Sequence, residues 1–293
     1  MNSIQLKSRA KINLSIDVLG KREDGYHLVE MIMQTIDLYD RIKISALNED
    51  KIVIKSKSLD IPLNDDNIVY KAANLIKNKF NINSGVEIYI EKNIPVAAGM
   101  AGGSSNAAGV LVGLNKLWNL GLSEEELKAI GLKLGADVPF CISGQAALAE
   151  NIGEKLTKID GLDEDTFILV CKPELFVSTK EIYEEIDSKE IKRRPDNKLL
   201  INLLKEKDIE GLSRNMYNVL EEVTKDKYPV IDKIEQIMMQ NNALGSMMSG
   251  SGPTVFGLYS KLEDAERCKE ILLQEFKQVY VVKSNNKGVE LDG

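Results

Sequence analysis

The chain has 293 residues, 43% hydrophobic and 28% charged, with a formal net charge of −7. It is long enough for two ordinary domains with their own cores, and its composition excludes a disordered or fibrous protein. The acidic balance argues against nucleic acid as a main partner, which needs a basic face to displace counterions, and no run of about eighteen apolar residues offers a membrane span.

The run Met1 to Leu14 lacks the apolar core and cleavage site of a secretory leader, so it reads as mature structure. Residues 4–18, 28–38, 40–46 and 50–57 read as strands joined by polar turns such as Glu23-Asp24-Gly25, an antiparallel, hairpin-rich start. Lys11 and Asn13 share one face of the first strand, either as the wet side of an edge strand or as a polar pair with work to do. Gly25-Tyr26-His27 carries the only histidine of the chain. Such a pair is either structural or able to stack on and hydrogen-bond a flat heterocycle.

A helix is expected from about Asn67 to Phe80, with Ile68, Ala72, Leu75 and Ile76 on one face, followed by a strand at Val86-Glu-Ile-Tyr-Ile-Glu-Lys. Then comes the most informative segment, Pro95-Val96-Ala97-Ala98-Gly99-Met100-Ala101-Gly102-Gly103-Ser104-Ser105, running directly into a helix with Ala107, Val110, Leu111, Leu114, Leu117 and Trp118 on one face. Small residues let backbone N–H groups close on an anion, and the unpaired N–H groups and positive dipole end of the helix point to the same place. The spacing fits neither a P-loop nor the dinucleotide fingerprint. A tight packing turn is the alternative.

Ser123 and Glu126 predict a capping box at the next helix. Gly135-Ala136-Asp137-Val138-Pro139-Phe140 sets one carboxylate among apolar neighbours, as a base in a desolvated setting or as a helix cap. The pattern changes after Leu148. A strand is expected at Thr166–Cys171, about four helices between Thr179 and Asn241, a strand at Val255–Tyr259, a helix at Leu262–Phe276 and a strand at Val279–Lys283. This α+β alternation suggests a second layered domain, with the boundary near residue 158, giving 1–158 and 159–293. Ser249-Gly250-Ser251-Gly252-Pro253-Thr254 is a second glycine-rich turn. The basic cluster Lys189, Lys192, Arg193 and Arg194 reads as a solvated linker. Cys141, Cys171 and Cys268 are too few and too scattered for a disulfide framework, which favours a reducing cytoplasm.

Taken together, the loop at 95–105, the turn at Met248–Thr254, the run Ala10-Lys11-Ile12-Asn13-Leu14, the stretch Asp17 to His27, the Gly135–Phe140 segment and Ser178-Thr179-Lys180-Glu181-Ile182-Tyr183 resemble the GHMP kinase superfamily. The run Ala10 to Leu14 followed by Asp17 to His27 is similar to its branch acting on a cytidyl-linked methylerythritol. The resemblance spans nearly the whole chain. It implies an N-terminal domain like domain 2 of ribosomal protein S5, a C-terminal ferredoxin-like domain, and an active site between them.

The resemblance also implies transfer of the γ-phosphoryl group of ATP, with Mg²⁺, to a tertiary hydroxyl in the non-mevalonate route to isoprenoid precursors. Asp137 would be the general base and Lys11 would orient the hydroxyl and steady phosphoryl charge. Pro95 to Ser105 would wrap the ATP phosphates. Asn13, Tyr26, His27, Thr179 and Tyr183 would hold the acceptor, His27 at the cytosine edge and the two tyrosines on its faces. Ala97, Ala98 and Ala101 stand where related loops often carry glycine. Ser105 could offer Mg²⁺ a hydroxyl, but no carboxylate is clearly placed for the metal, and the adenine pocket and oligomeric state are not legible. The rival readings are a mevalonate or homoserine kinase, whose acceptors have no cytosine for Tyr26 and His27, and a nucleotide-binding regulator that has lost turnover.

Overall fold

A computed structural model describes residues 2–292. Strands β1 (Ser3–Lys21) and β2 (His27–Leu47) form a long antiparallel hairpin, followed by β3 (Ile52–Ser56), α1 (Ile68–Phe80) and β4 (Gly85–Glu91). Next come α2 (Gly102–Leu117), α3 (Glu124–Gly131), α4 (Val138–Ser143), β5 (Ala147–Asn151) and β6 (Lys155–Lys158). The first sheet has the order β12 (Val289–Leu291), β1, β2, β4, β3, with β5 on β2, β6 on β5 and the short β8 (Tyr217–Asn218) parallel to β1. The second sheet is antiparallel, in the order β11 (Gln278–Lys283), β7 (Phe167–Lys172), β10 (Val255–Tyr259), β9 (Gly245–Met248). Helices α5 (Thr179–Ile186), α6 (Asn197–Glu206), α7 (Ile209–Asn215), α8 (Glu221–Lys227) and α9 (Val230–Gln240) lie between β7 and β9, and α10 (Leu262–Leu272) follows β10.

Side-chain caps mark several helix starts, and the one at Ser123 is the capping box that the sequence predicts. The Asn67 side chain accepts from the Val69 N–H, and Ser123 and Glu126 form both bonds of a capping box. Other elements differ from expectation. The strands expected at 28–38 and 40–46 are one strand, because the break in apolar pattern at Asp40 is a buried, hydrogen-bonded carboxylate and not a turn. The chain also returns at β12 to pair with β1, although nothing in its apolar pattern announces a strand.

The decisive local feature is a double slip in β1. Its register against β2 shifts between Arg9 and Lys11 and again between Asn13 and Ser15, apart from a third shift at the hairpin end between Val18 and Gly20. At the first slip Ala10 alone stands against Ile36 to Leu38 of β2, at the second Leu14 is an extra residue with none opposite, and across each the side chains of β1 change face. Leu6, Ile16 and Val18 therefore belong to the core under the first-domain helices, whereas Ala10, Ile12 and Leu14 join a second core with Ile168, Val170, Phe256 and Leu258 of the other sheet. One strand thus serves two cores. The segment between the slips presents Lys11 and Asn13 on the face opposite Ala10, Ile12 and Leu14, both buried. This excludes the wet-edge reading: β12 pairs with β1 before this stretch and β8 after it, and within it the Lys11 N–H is taken by the Met100 carbonyl.

A buried carboxylate fixes the chain where it leaves β4. Asp40 is fully buried; one oxygen accepts from the backbone N–H groups of Asn93 and Ile94 at 2.7 and 2.8 Å. The other accepts from Lys92 Nζ at 2.6 Å and Asn106 Nδ2 at 2.7 Å. Strand β2, the entry to the small-residue loop and helix α2 are locked at one point. Burial pushes the Lys92 ammonium below its ordinary range, and Asp40 opposes that shift. Replacing Asp40 by alanine orphans a buried ammonium and two N–H groups. The expected loss is about 3–5 kcal/mol of stability, read by urea denaturation; a loss within experimental error would show that the cluster is not a fixed point.

Candidate active site

One cavity of about 920 Å³ opens between the two sheets, large enough for a nucleotide and a second substrate. The loop at 95–105 forms one wall. Ala101, with φ +55°, precedes α2 and no side chain caps that helix, so its first-turn N–H groups remain for an anion. Pro95 to Gly99, Ala101, Gly102, Gly103 and Ser104 line the cavity. Ala97 and Ala101 both take left-handed backbone angles, each against a cost of about 1–2 kcal/mol. The fixed ends of the loop offset it.

Two residues of the loop do not face the cavity. Met100 is a core side chain whose carbonyl accepts from the Lys11 N–H at 3.2 Å. Ser105 is fully buried and donates its hydroxyl to the Arg9 carbonyl at 2.7 Å. The expectation that Ser105 offers a hydroxyl to phosphate or Mg²⁺ is therefore corrected: a bulged strand leaves a carbonyl unpaired beside it, and Ser105 satisfies that carbonyl.

At the centre, Lys11 Nζ donates to Asn13 Oδ1 at 2.6 Å and stands 3.9 Å from Asp137 Oδ2. Asp137 occupies the N-cap position of α4 but makes no side-chain capping bond. Its carboxylate is about one third exposed, at 31%, against 6% for the Lys11 side chain. A carboxylate open to substrate and a sheltered ammonium beside it suit proton removal and charge stabilisation.

The far corner holds Tyr26, His27, Thr179 and Tyr183, all lining the cavity. The His27 and Tyr183 rings lie 5.0 Å apart at 40°. His27 Nε2 is 2.6 Å from Asp187 Oδ1, while Lys21 Nζ donates to Asp187 Oδ2 at 2.7 Å. The hydrogen bonds from Lys21 and, next, His27 hold the Asp187 carboxyl below its ordinary range. Burial, reinforced by the charge of Asp137, pushes the Tyr183 phenol up, so it stays neutral. Asp187 was not singled out in the sequence; its four-residue spacing from Tyr183, on one helix face, is the signal that could have found it.

The turn after β9 completes the wall. The Ser249 hydroxyl donates to the Gly99 carbonyl at 3.0 Å, and Ser251 and Thr179 hydroxyls pair at 2.8 Å. Behind the turn, Asn218 Nδ2 donates to the carbonyls of Met248 and Gly250 at 3.0 and 2.8 Å, and Glu221 accepts the Met248 N–H at 2.7 Å. Lys225 ion-pairs with both Glu221 and Glu235. Burial, with the Glu221 charge adding, pushes the Glu235 carboxyl far above its ordinary range, and Lys225 opposes that. Neither carboxylate was legible as part of the site. The cavity also extends past Asp60 to Pro62 and Asp66 to Ile68, which had no assigned role.

Two family models match this chain: "GHMP kinases N terminal domain" over residues 67–145 and "GHMP kinases C terminal" over residues 200–278. A relative in Clostridioides difficile, named 4-diphosphocytidyl-2-C-methyl-D-erythritol kinase, is 69% identical over 100% of this chain and 99% of its own. The chain belongs to the GHMP kinase family. A relative of the same name in Alkaliphilus oremlandii is 53% identical over 99% of this chain and 100% of its own. The crystal structure of a 4-(cytidine 5'-diphospho)-2C-methyl-D-erythritol kinase superposes with a TM-score of 0.82 at 29% identity, over 96% of this chain and 99% of that one. A homoserine kinase from Cytophaga hutchinsonii shares the fold, with a TM-score of 0.78 at 18% identity over 100% and 98% of the two chains.

In this GHMP kinase, the loop and the β9–β10 turn meet so closely that a Cβ on Gly99, at φ +71°, would collide with the Ser249 carbonyl. Gly99→Ala should cost about 1–3 kcal/mol and raise the KM for ATP; an unchanged melting temperature and KM would deny the close contact. The Glu235 shift carries a pH signature. A carboxyl raised in the folded state contributes stability that is intact below its ordinary value of 4.5 and is lost as pH rises towards the folded value. Glu235→Gln should therefore gain on the wild type by about 1 kcal/mol per pH unit above that value, followed by urea denaturation from pH 5 to 8. A pH-independent difference would contradict the shift.

Proposed function

We propose that this kinase transfers the γ-phosphoryl group of ATP to the 2-hydroxyl of 4-diphosphocytidyl-2-C-methyl-D-erythritol, a step in the non-mevalonate route to isoprenoid precursors. The observation that carries the reading is the placement of Lys11 and Asp137, 3.9 Å apart, in a cavity shared by the phosphate loop and the His27–Tyr183 corner. Relatives that match this chain from end to end bear the same name.

The N–H groups before and within the first turn of α2, with the Ser104 hydroxyl, would receive the ATP phosphates. The acceptor base would lie against Tyr26 and Tyr183 with its polar edge at His27, and Asn13 would hold the polyol. Asp137 would take the proton of the acceptor hydroxyl as its oxygen forms a bond to the γ-phosphorus and the bond to the β–γ bridging oxygen breaks, releasing ADP. Lys11 would steady the charge on the transferring oxygens. A tertiary hydroxyl is crowded, so placement contributes as much as basicity.

The fold family implies Mg²⁺. The described residues contain no group of three or more acidic, histidine or cysteine side chains that could cage a metal. The cation would enter as a companion of the nucleotide phosphates, with the Ser104 hydroxyl available as an oxygen donor, and would offset phosphate charge. A division of the chain near residue 158 fits the end of β6 at Lys158 and the start of the second sheet at Phe167, with β8 and β12 returning to the first sheet. The three free, buried cysteines fit a reducing compartment, and no helix among the described residues is long and apolar enough to cross a membrane.

The test is coupled ADP release with Mg²⁺-ATP and three acceptors: the cytidyl substrate, mevalonate and homoserine. Turnover is expected with the first alone; turnover of another acceptor would overturn the substrate assignment. Asp137→Asn should lower kcat by roughly 10²–10⁴-fold while ATP binding, measured by calorimetry, persists. Near-normal turnover would remove Asp137 as the base.

A further inference from the structure

We infer that Asp187 is a positioning residue that fixes the tautomer of His27 and thereby sets a preference for an amino-bearing pyrimidine over its carbonyl-bearing counterpart. This rests on the reading of His27 as the residue at the polar edge of the acceptor's base.

The geometry is a clamp built from two parts of the chain. Lys21 and His27 face each other at the closed end of the β1–β2 hairpin. Helix α5 brings Tyr183 and, one turn later at its C-cap, Asp187. Tyr183 packs its ring at 5.0 Å from that of His27, and Asp187 meets the ring edge at Nε2, 2.6 Å away. The second carboxylate oxygen is taken by Lys21 at 2.7 Å. The Asp187 carboxylate is ionised at neutral pH with or without Lys21; the Lys21 bond and then the His27 bond lower its carboxyl further, and only the contact at Nε2 decides which ring nitrogen carries the proton.

An ionised carboxylate has no proton to give, so the shared proton belongs to His27 Nε2. In the neutral ring the lone pair then resides on Nδ1. That atom has no protein partner among the described residues and is not sealed from solvent, and the ring lines the cavity. The cavity is thus presented with a hydrogen-bond acceptor of fixed position. Cytosine's exocyclic amine is a donor and completes the bond, whereas the carbonyl at the same place in uracil sets lone pair against lone pair. A site built around one such donor rejects an analogue lacking it far more strongly than a merely apolar pocket can. No residue elsewhere in the corner needs to read the base for this discrimination to arise.

Because the chain has one histidine, nitrogen-15 NMR of the imidazole reads the tautomer without any assay of activity. In its neutral ring the wild type should show a protonated Nε2 and a pyridine-like Nδ1, and Asp187→Asn should show a mixture. In kinetics, the wild type should favour the cytidyl acceptor over its uridyl analogue by on the order of 10²-fold or more in kcat/KM. Asp187→Asn should reduce that ratio at least tenfold, through KM, with kcat for the cytidyl acceptor little changed. Lys21→Met keeps the Asp187–His27 bond and should retain both tautomer and ratio.

A wild-type ring protonated on Nδ1, or averaged between forms, would overturn the inference while leaving the site reading intact. So would a ratio lost equally in Lys21→Met, which would trace the effect to docking of α5 rather than to the proton. His27→Ala with an unchanged KM for the cytidyl acceptor would instead overturn the site reading, and the inference with it.

Discussion

The two register slips in β1 are the constraint on which the rest depends. A regular strand offers one face to one core, but β1 lies between a helix-backed core and a second core shared with the other sheet. Turning over only the segment between the slips lets Ala10, Ile12 and Leu14 bury against the second sheet while Leu6, Ile16 and Val18 stay under the helices. Lys11 and Asn13 are carried to the cavity by the same rotation. The slip also frees backbone groups from the ladder, and they are reused: the Lys11 N–H ties down Met100, and the Arg9 carbonyl receives Ser105. Strand, loop and Lys11 are therefore one mechanical unit.

Around that unit, buried carboxylates act as fixed points for irregular backbone. Asp40 gathers Lys92, Asn106 and two N–H groups at the entry to the small-residue loop at 95–105. Glu221, helped by Asn218, holds the β9–β10 turn from behind, and Asp187 holds the imidazole at the opposite end. Loops that must keep N–H groups free for a ligand cannot stabilise themselves through those groups, so their order comes from the neighbours they touch. The left-handed angles at Ala97 and Ala101 persist for this reason.

Much of this was legible in the sequence where a local pattern has a single physical meaning. The strand, small-residue loop and helix are read from alternation, glycine content and three-and-four spacing, and the capping box at Ser123 from side-chain chemistry. The order of motifs from Lys11 to Thr254 singled out the family. What escaped depends on partners distant in sequence. Asp40 looks like a strand break until its donors on Lys92, Asn93, Ile94 and Asn106, all far along the chain, are seen. Ser105 reads as a phosphate ligand until the bulge beside Arg9 claims its hydroxyl. The return of β12 to β1 has no periodicity of its own, and a register slip leaves no residue-type signature at Lys11.

The central claim is that the slips in β1 set Lys11 and Asp137 on one acceptor hydroxyl, between phosphate loop and base-reading corner. A crystal structure with a non-hydrolysable ATP analogue and 4-diphosphocytidyl-2-C-methyl-D-erythritol tests it most directly. The account predicts the 2-hydroxyl within hydrogen-bond distance of the Asp137 carboxylate, the γ-phosphate in line with it, and cytosine against Tyr183 with its amine at His27. An acceptor bound with its 2-hydroxyl beyond the reach of Asp137, or with the base away from His27, would contradict it.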